Sequence, residues 1–234
     1  MLIPLLLFVI AVVSYMLGGL NGAIIASKTL YRNDVRRHGS HNAGLTNYLR
    51  TFGPGGIAIV LGTDVLKSVL AILFGGWLLG TQGFPVTGKI FACFCLMLGH
   101  IWPVIYQFRG GKGVLCAGVG VLMVDWRMGL MCWAVFLAIV IFTRYVSLGS
   151  VCCSIFFPLG LLFLGYKGID IWLALFCTLL LIGKHEKNIR RLLKGRNPNS
   201  ASVSSGAATI VSKFNGYRRM EEYTWNTAII ATPD

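Results

Sequence analysis

Gly99-His100-Ile101-Trp102-Pro103, followed shortly by Phe108-Arg109-Gly110-Gly111-Lys112-Gly113, sets a glycine-rich basic turn between two apolar segments. At a membrane boundary such a turn offers backbone N–H groups beside cationic side chains, the combination that suits a phosphate. Gly110, Gly111 and Gly113 would let the backbone approach the anion, Lys112 would supply charge, and a helix is expected to start just after. The turn is not a nucleotide P-loop. That motif needs a glycine where Tyr106 stands and a hydroxyl residue where Gly113 stands.

Three other segments are dense in short polar groups. Asp34 to Arg50 packs hydroxyls, amides, glycines and arginines together, with Ser40, Thr46, Asn47 and Arg50 as candidate grips for phosphate or hydroxyl groups. Thr143 to Ser150 places Ser147 and Ser150 three apart after Arg144. In Lys184 to Gly195, His185 and Asn188 share a helix face, as do Asn188 and Arg191. His185-Glu186 is not a zinc motif, because no histidine follows at helical spacing. The seven cysteines all lie in apolar stretches and read as small core hydrophobes. No metal or cofactor is expected. Asp64 and Lys67, three apart inside an apolar run, are expected to pair in support of a site rather than to catalyse.

These segments must be held by membrane helices. The chain has 234 residues, 56% of them hydrophobic and only 12% charged, against roughly 25% charged in an average soluble domain. Apolar runs fall at about 2–26, 55–80, 87–107, 113–125, 128–143, 145–166 and 168–184. The fourth and fifth are short and read as a broken pair around Asp125-Trp126-Arg127. The expectation is an all-α polytopic membrane protein of about seven transmembrane helices, the first a retained span rather than a cleaved signal. With the N-terminus outside, seventeen of the 21 Lys and Arg fall in loops on the cytoplasmic side, while Lys89, Arg127 and Lys167 fall opposite. That asymmetry puts the C-terminus and all four polar segments on the cytoplasmic face. The net charge of +13 therefore reads as topology and anionic-lipid contact, not as nucleic-acid binding. Residues 1–198 read as the membrane-embedded domain and 199–234 as a mobile cytoplasmic tail, entered through an Asn/Ser/Pro-rich linker.

In order and spacing the four segments resemble the membrane acyl-phosphate:glycerol 3-phosphate acyltransferases of bacteria, the PlsY family. Its Gly-Ser-Gly-Asn-Ile-Gly-Ala-Thr-Asn…Arg corresponds to Gly39 through Asn47 and then Arg50. Its Gly-His-x-Phe-Pro…Phe-Lys-Gly-Gly-Lys-Gly-Val corresponds to Gly99 through Val114. Its Thr-Arg-Tyr-Val-Ser-Leu-x-Ser corresponds to Thr143 through Ser150, and its His-x-x-Asn-Ile-x-Arg-Leu…Gly to His185 through Gly195. The chain departs from the pattern at His41, Ala43, Leu45, Trp102 and Leu115-Cys116. Asn21 stands near a usual proline, and Arg196-Asn197 replaces Thr-Glu.

The resemblance implies transfer of an acyl group from acyl phosphate to glycerol 3-phosphate, giving 1-acylglycerol 3-phosphate (lysophosphatidic acid) and phosphate in a bacterial cytoplasmic membrane. His185, Asn188, Ser40 and Ser150 would be catalytic. Arg50, Lys112, Gly110, Gly111, Gly113, Thr46, Asn47 and Ser147 would bind substrate. Membrane lipid and the two substrates are the implied partners; the pattern is silent on oligomeric state. An anionic-metabolite transporter would need polar residues on both sides of the membrane, whereas here they gather on one. Acyl-CoA enzymes with His-x4-Asp do not fit, because no histidine has an acidic residue five positions on. A non-catalytic lipid-binding relative is the remaining alternative.

Overall fold

A computed structural model describes residues 2–193, and these form helices joined by short turns. Gly195, Arg196, the linker and the tail lie outside the described residues. The helices are α1 (Leu2–Gly19), α2 (Gly22–Tyr31), α3 (Leu45–Phe52), α4 (Ile57–Gly80), α5 (Pro85–Ile101), α6 (Val114–Val124), α7 (Trp126–Thr143), α8 (Val146–Phe163), α9 (Ile169–Lys184) and α10 (Glu186–Leu193).

Among the described residues, five spans are long and apolar enough to cross a membrane: Leu2–Tyr31, Ile57–Gly80, Pro85–Tyr106, Trp126–Thr143 and Val146–Phe163. Of the other two expected spans, α9 has 16 residues and α6 only 11. At 1.5 Å per residue α6 covers about 16 Å, roughly half a bilayer's hydrocarbon core. The expected break at Asp125 is present: its carboxylate caps α7 by accepting from the Arg127 N–H at 2.9 Å and pairs with the Arg127 guanidinium at 2.7 Å. Phe142 and Phe163 are 87% and 85% exposed on apolar helices, surfaces that call for lipid rather than water.

Helices in lipid gain little from burying more apolar area, so close packing of small residues takes over. α1 lies along α5, and α4 packs against both. At the α1–α5 crossing a Cβ on Gly18 would stand 2.2 Å from the Leu96 carbonyl oxygen, and one on Gly99 would stand 2.0 Å from that of Tyr15. Gly75 and Gly88 interlock α4 and α5 in the same way. Five of the seven cysteines are buried, and Cys152 and Cys153 are partly buried.

Farther along, Pro158 sits inside α8. Its ring removes the N–H that would bond the Ser154 carbonyl, and the Thr178 hydroxyl donates to that carbonyl instead, at 2.7 Å. The proline therefore creates the acceptor that ties α8 to α9, the helix whose end carries His185.

Gly99→Ala is expected to lower the thermal midpoint in detergent sharply, because backbone of α1 blocks the methyl group. Gly62→Ala on the exposed side of α4, with nothing within 4 Å, should be neutral or gain about 0.5–1 kcal/mol. Midpoints from fluorescence-detected size exclusion check both; equal effects would refute the crossing.

Candidate active site

The first span is not continuous. α1 ends at Gly19 and α2 begins at Gly22, so carbonyls at the end of one and N–H groups at the start of the other lose their helical partners. Asp64 and Lys67, paired at 2.7 Å on α4, fill that gap. The Lys67 ammonium donates to the carbonyls of Leu20 (2.6 Å) and Gly18 (3.2 Å), and Asp64 accepts from the Gly22 N–H (3.3 Å). One ion pair thus caps both halves of a broken membrane helix, which is the supporting role expected for it.

The same ammonium donates to His100 Nδ1 at 2.8 Å. Since Nδ1 accepts, the ring proton sits on Nε2, the nitrogen that lies against the glycine turn. A Cβ on Gly111 would meet His100 Nε2 at 2.2 Å and the Ala43 carbonyl at 2.6 Å. The turn closes back on α5 through Gly111 N–H to the His100 carbonyl (3.0 Å) and Gly110 N–H to that of Ile101 (3.1 Å). Gly110 and Gly111 therefore serve close approach to His100 as well as any approach to an anion. Gly113, at φ +78°, starts α6. The first intrahelical bond there is Ala117 N–H to the Gly113 carbonyl, 2.8 Å, so the N–H groups of residues 114–116 precede any helical acceptor.

The 34–50 segment is anchored to this turn from two sides. Asn21 caps α2 by accepting from the Ile24 N–H, and its amide also donates to the Ala43 carbonyl at 3.0 Å. The Ala43 N–H in turn donates to the Gly110 carbonyl, 3.3 Å. The Arg36 guanidinium, gripped by Asp34 at 2.7 Å, donates to the carbonyls of Tyr106 (2.9 Å) and Arg109 (3.1 Å).

Within the loop, the buried Asn47 amide donates to the carbonyls of Val35, His38 and Asn42 at 3.0–3.1 Å and accepts from the Ser40 N–H at 2.9 Å. These bonds commit Asn47 to shaping the loop. Ser40, Thr46 and Arg50 are exposed, the last two one turn apart on α3.

His185 follows the last residue of α9 and is buried. Its Nδ1 lies 2.9 Å from the Leu181 carbonyl, which can only accept. Nδ1 therefore carries the proton and Nε2 is left as an acceptor. Burial holds the ring down to a pKa of about 4, and the nearby Lys112 charge disfavours protonation further. The Lys184 ammonium, 4.7 Å from the centre of the Trp102 ring, brings the end of α9 to the stretch that leads into the glycine turn. Asn188 is half-buried one turn on. Ser147 and Ser150 lie in the first turns of α8, where the Ser150 hydroxyl donates to the Val146 carbonyl of its own helix at 2.8 Å.

So the first, second and fourth polar segments meet through specific contacts, and the third joins through packing of α8 on α9. Sequence reasoning missed His100 as the connector between Lys67 and the turn, and Asn21 as a double anchor. The available signal was an asparagine inside an apolar run, a position that lipid makes costly unless its bonds are filled. Among the described residues no cluster of His, Cys, Asp or Glu suits a metal ion.

A sequence model described as glycerol-3-phosphate acyltransferase matches residues 8–195. The chain is 41% identical over 187 residues to the glycerol-3-phosphate acyltransferase of Thermoanaerobacter pseudethanolicus, covering 79% of this chain and 91% of the relative. It is 40% identical to that of Clostridioides difficile, covering 80% and 92%. The crystal structure of PlsY, an integral membrane glycerol 3-phosphate acyltransferase in its glycerol 3-phosphate form, superposes with a TM-score of 0.72 at 33% identity, covering 82% of this chain and 94% of that one. Its lysophosphatidic acid form gives 0.70 at 30% identity, covering 82% and 93%.

Two outcomes are expected from the site's geometry. Histidine-selective ¹⁵N spectra should keep His185 neutral and Nδ1-protonated down to about pH 5, with protonation setting in near its pKa of about 4. The folded ring binds its proton more weakly than the unfolded chain's. Its contribution to stability is therefore complete above an unfolded value of about 6.5 and is lost as pH falls toward about 4. Titration near 6.5 in the folded protein would overturn the burial. Asn47→Asp, which loses amide donors and turns a charge on three carbonyls, should destabilise more than Asn47→Ala, itself expected to cost about 1–3 kcal/mol; thermal midpoints decide.

Proposed function

The chain belongs to the glycerol-3-phosphate acyltransferase family, and from that premise we propose that it takes its acyl group from acyl phosphate, at the cytoplasmic face of a bacterial inner membrane. The observation that carries this reading is the meeting of two donor-rich cationic loops, linked by the Ala43–Gly110 bond, with the end of α9 that bears the buried His185, linked by the Lys184–Trp102 contact. Two phosphate-bearing substrates need two such loops. The solved relatives, in glycerol 3-phosphate and lysophosphatidic acid forms, support the acceptor and product.

In the reaction, a glycerol 3-phosphate hydroxyl attacks the acyl carbonyl carbon. A new ester C–O bond forms, the bond to the phosphate oxygen breaks, and inorganic phosphate leaves. The leaving group is already activated, so placement and charge stabilisation supply most of the acceleration. Gly110, Gly111 and Gly113 with the first N–H groups of α6 cradle a phosphate, and Lys112 and Arg50 neutralise phosphate charge. Ser40, Thr46, Ser147, Ser150 and Asn188 orient the reacting groups, and Asn47 holds the loop that presents Ser40 and Thr46. His185 Nε2, kept unprotonated by burial and Lys112, accepts a hydrogen bond from the attacking hydroxyl. The proton then passes to that nitrogen or to the departing phosphate. The fatty chain lies between helices, which suits an embedded enzyme. The 17-to-3 loop asymmetry of Lys and Arg supports an outside N-terminus and a cytoplasmic site. Residues 1–198 form the catalytic domain in this reading.

With radiolabelled glycerol 3-phosphate, purified protein should produce lipid-soluble label from palmitoyl phosphate and not from palmitoyl-CoA; the reverse preference would overturn the donor assignment. Lys112→Ala should chiefly raise KM, and unchanged kinetics would remove the cradle. His185→Ala should lower kcat by about 10²-fold or more, and near-normal turnover would take it out of the mechanism.

A further inference from the structure

Beside the candidate active site, on the same loops, lies a recess of about 540 Å³ that the proposed reaction does not use. Its size falls among small-molecule sites, roughly 300–1,000 Å³. Lys28, Arg32, Arg36 and Arg37 contribute cations to it, Asp34 the opposing charge, and Tyr106 an aromatic wall.

The cations are not equivalent. Arg36 is committed to Asp34 at 2.7 Å and to the carbonyls of Tyr106 and Arg109. Its guanidinium holds the Asp34 carboxyl below the usual carboxylate range. Asp34 and Arg36 thus form a fixed, neutralised floor. Lys28 is only 3.9 Å from Asp34, is half exposed, and lies 5.6 Å from the centre of the Tyr106 ring. Arg32 and Arg37 are exposed. An excess of three positive charges therefore stands around a prebuilt concavity.

Its depth identifies what it can hold. Two apolar spans end here: Leu2–Tyr31 stops one residue before Arg32, and Pro85–Tyr106 stops at the recess wall. Leu30, Ile105 and Phe108 are exposed next to these ends, Ile105 on the recess itself. Cations gathered where apolar side chains meet lipid lie at the level of phospholipid headgroups, and basic pockets at that level bind anionic heads.

We infer that the recess is a second anion site, which takes the phosphate of an anionic membrane lipid whose acyl chains lie against the exposed apolar residues beside it. It is separate from the acyl-transfer site and rests on the membrane reading of the chain, not on the reaction. Its occupant would fasten the 34–50 loop at the membrane surface, next to the segment that presents Ser40 and Thr46.

Native mass spectrometry of the full chain in neutral detergent tests this, with dioleoyl phosphatidic acid and dioleoyl phosphatidylcholine titrated in parallel. The parent protein should retain phosphatidic acid preferentially, and R32Q/R37Q should weaken retention by about tenfold or more. K28Q/R32Q, a second route to the same charge loss, should behave alike. R190Q/R191Q removes as much charge outside the recess and should leave retention unchanged. Millimolar glycerol 3-phosphate should fail to displace the lipid. Equal retention of both lipids, equal loss in R190Q/R191Q, or full retention in both recess variants overturns the site. Displacement by glycerol 3-phosphate overturns it too, by making the recess part of the soluble-substrate site.

Discussion

The glycine turn and the 34–50 loop are both fastened through one buried ion pair, Asp64–Lys67. An ammonium and a carboxylate within an apolar helix are costly to desolvate, and they persist when every acceptor and donor around them is filled. Asp64 and Lys67 meet that condition by serving a break in a neighbouring helix, whose orphaned carbonyls and N–H groups would themselves be costly in lipid. Two liabilities cancel, and the result is a rigid post between α1, α2 and α4. His100 extends the post to the glycine turn, and Asn21 extends it to the 34–50 loop through Ala43. The glycine turn and the 34–50 loop are therefore fastened to the helices of the membrane core.

The opposite end of the bundle uses a different economy. Asp125 pairs with Arg127 and accepts from the Tyr166 hydroxyl at 3.1 Å, and Thr87 donates to Asp170 at 2.6 Å. Arg127 holds the Asp125 carboxyl well below the usual range. The Asp125–Tyr166 bond ties α7 to the α8–α9 connection and the Thr87–Asp170 bond ties α5 to the first turn of α9, with few cations to spare. The contrast matches a protein whose polar work is done on one face.

Placement is what such an architecture supplies. The proposed transfer from an activated donor needs two held phosphates, a hydroxyl aimed at the acyl carbon, and an acceptor for its proton. In the proposed reaction, His185, its Nδ1 fixed by the Leu181 carbonyl, is offered for the last requirement without a carboxylate partner. Interlocked glycines at the α1–α5 and α4–α5 crossings keep the supporting helices at backbone distance, leaving little slack in where the loops stand.

Much was legible from residue types alone. The apolar runs, the Asp125 break, the Asp64–Lys67 pair and the four polar segments follow from hydropathy and helical spacing, both of which act locally. Helix ends shifted by a few residues, and the short fourth run became an 11-residue helix that stops at the expected break. What one dimension could not carry was which polar groups find each other across long separations. Lys67 and His100 are 33 residues apart, and Asn21 and Ala43 are 22 apart. Their pairing is decided by how α1, α4 and α5 cross. The same crossing assigns Gly111 to a histidine ring and turns Asn47 inward to its own loop, because in lipid each buried donor must end on whichever acceptor the packing brings within reach.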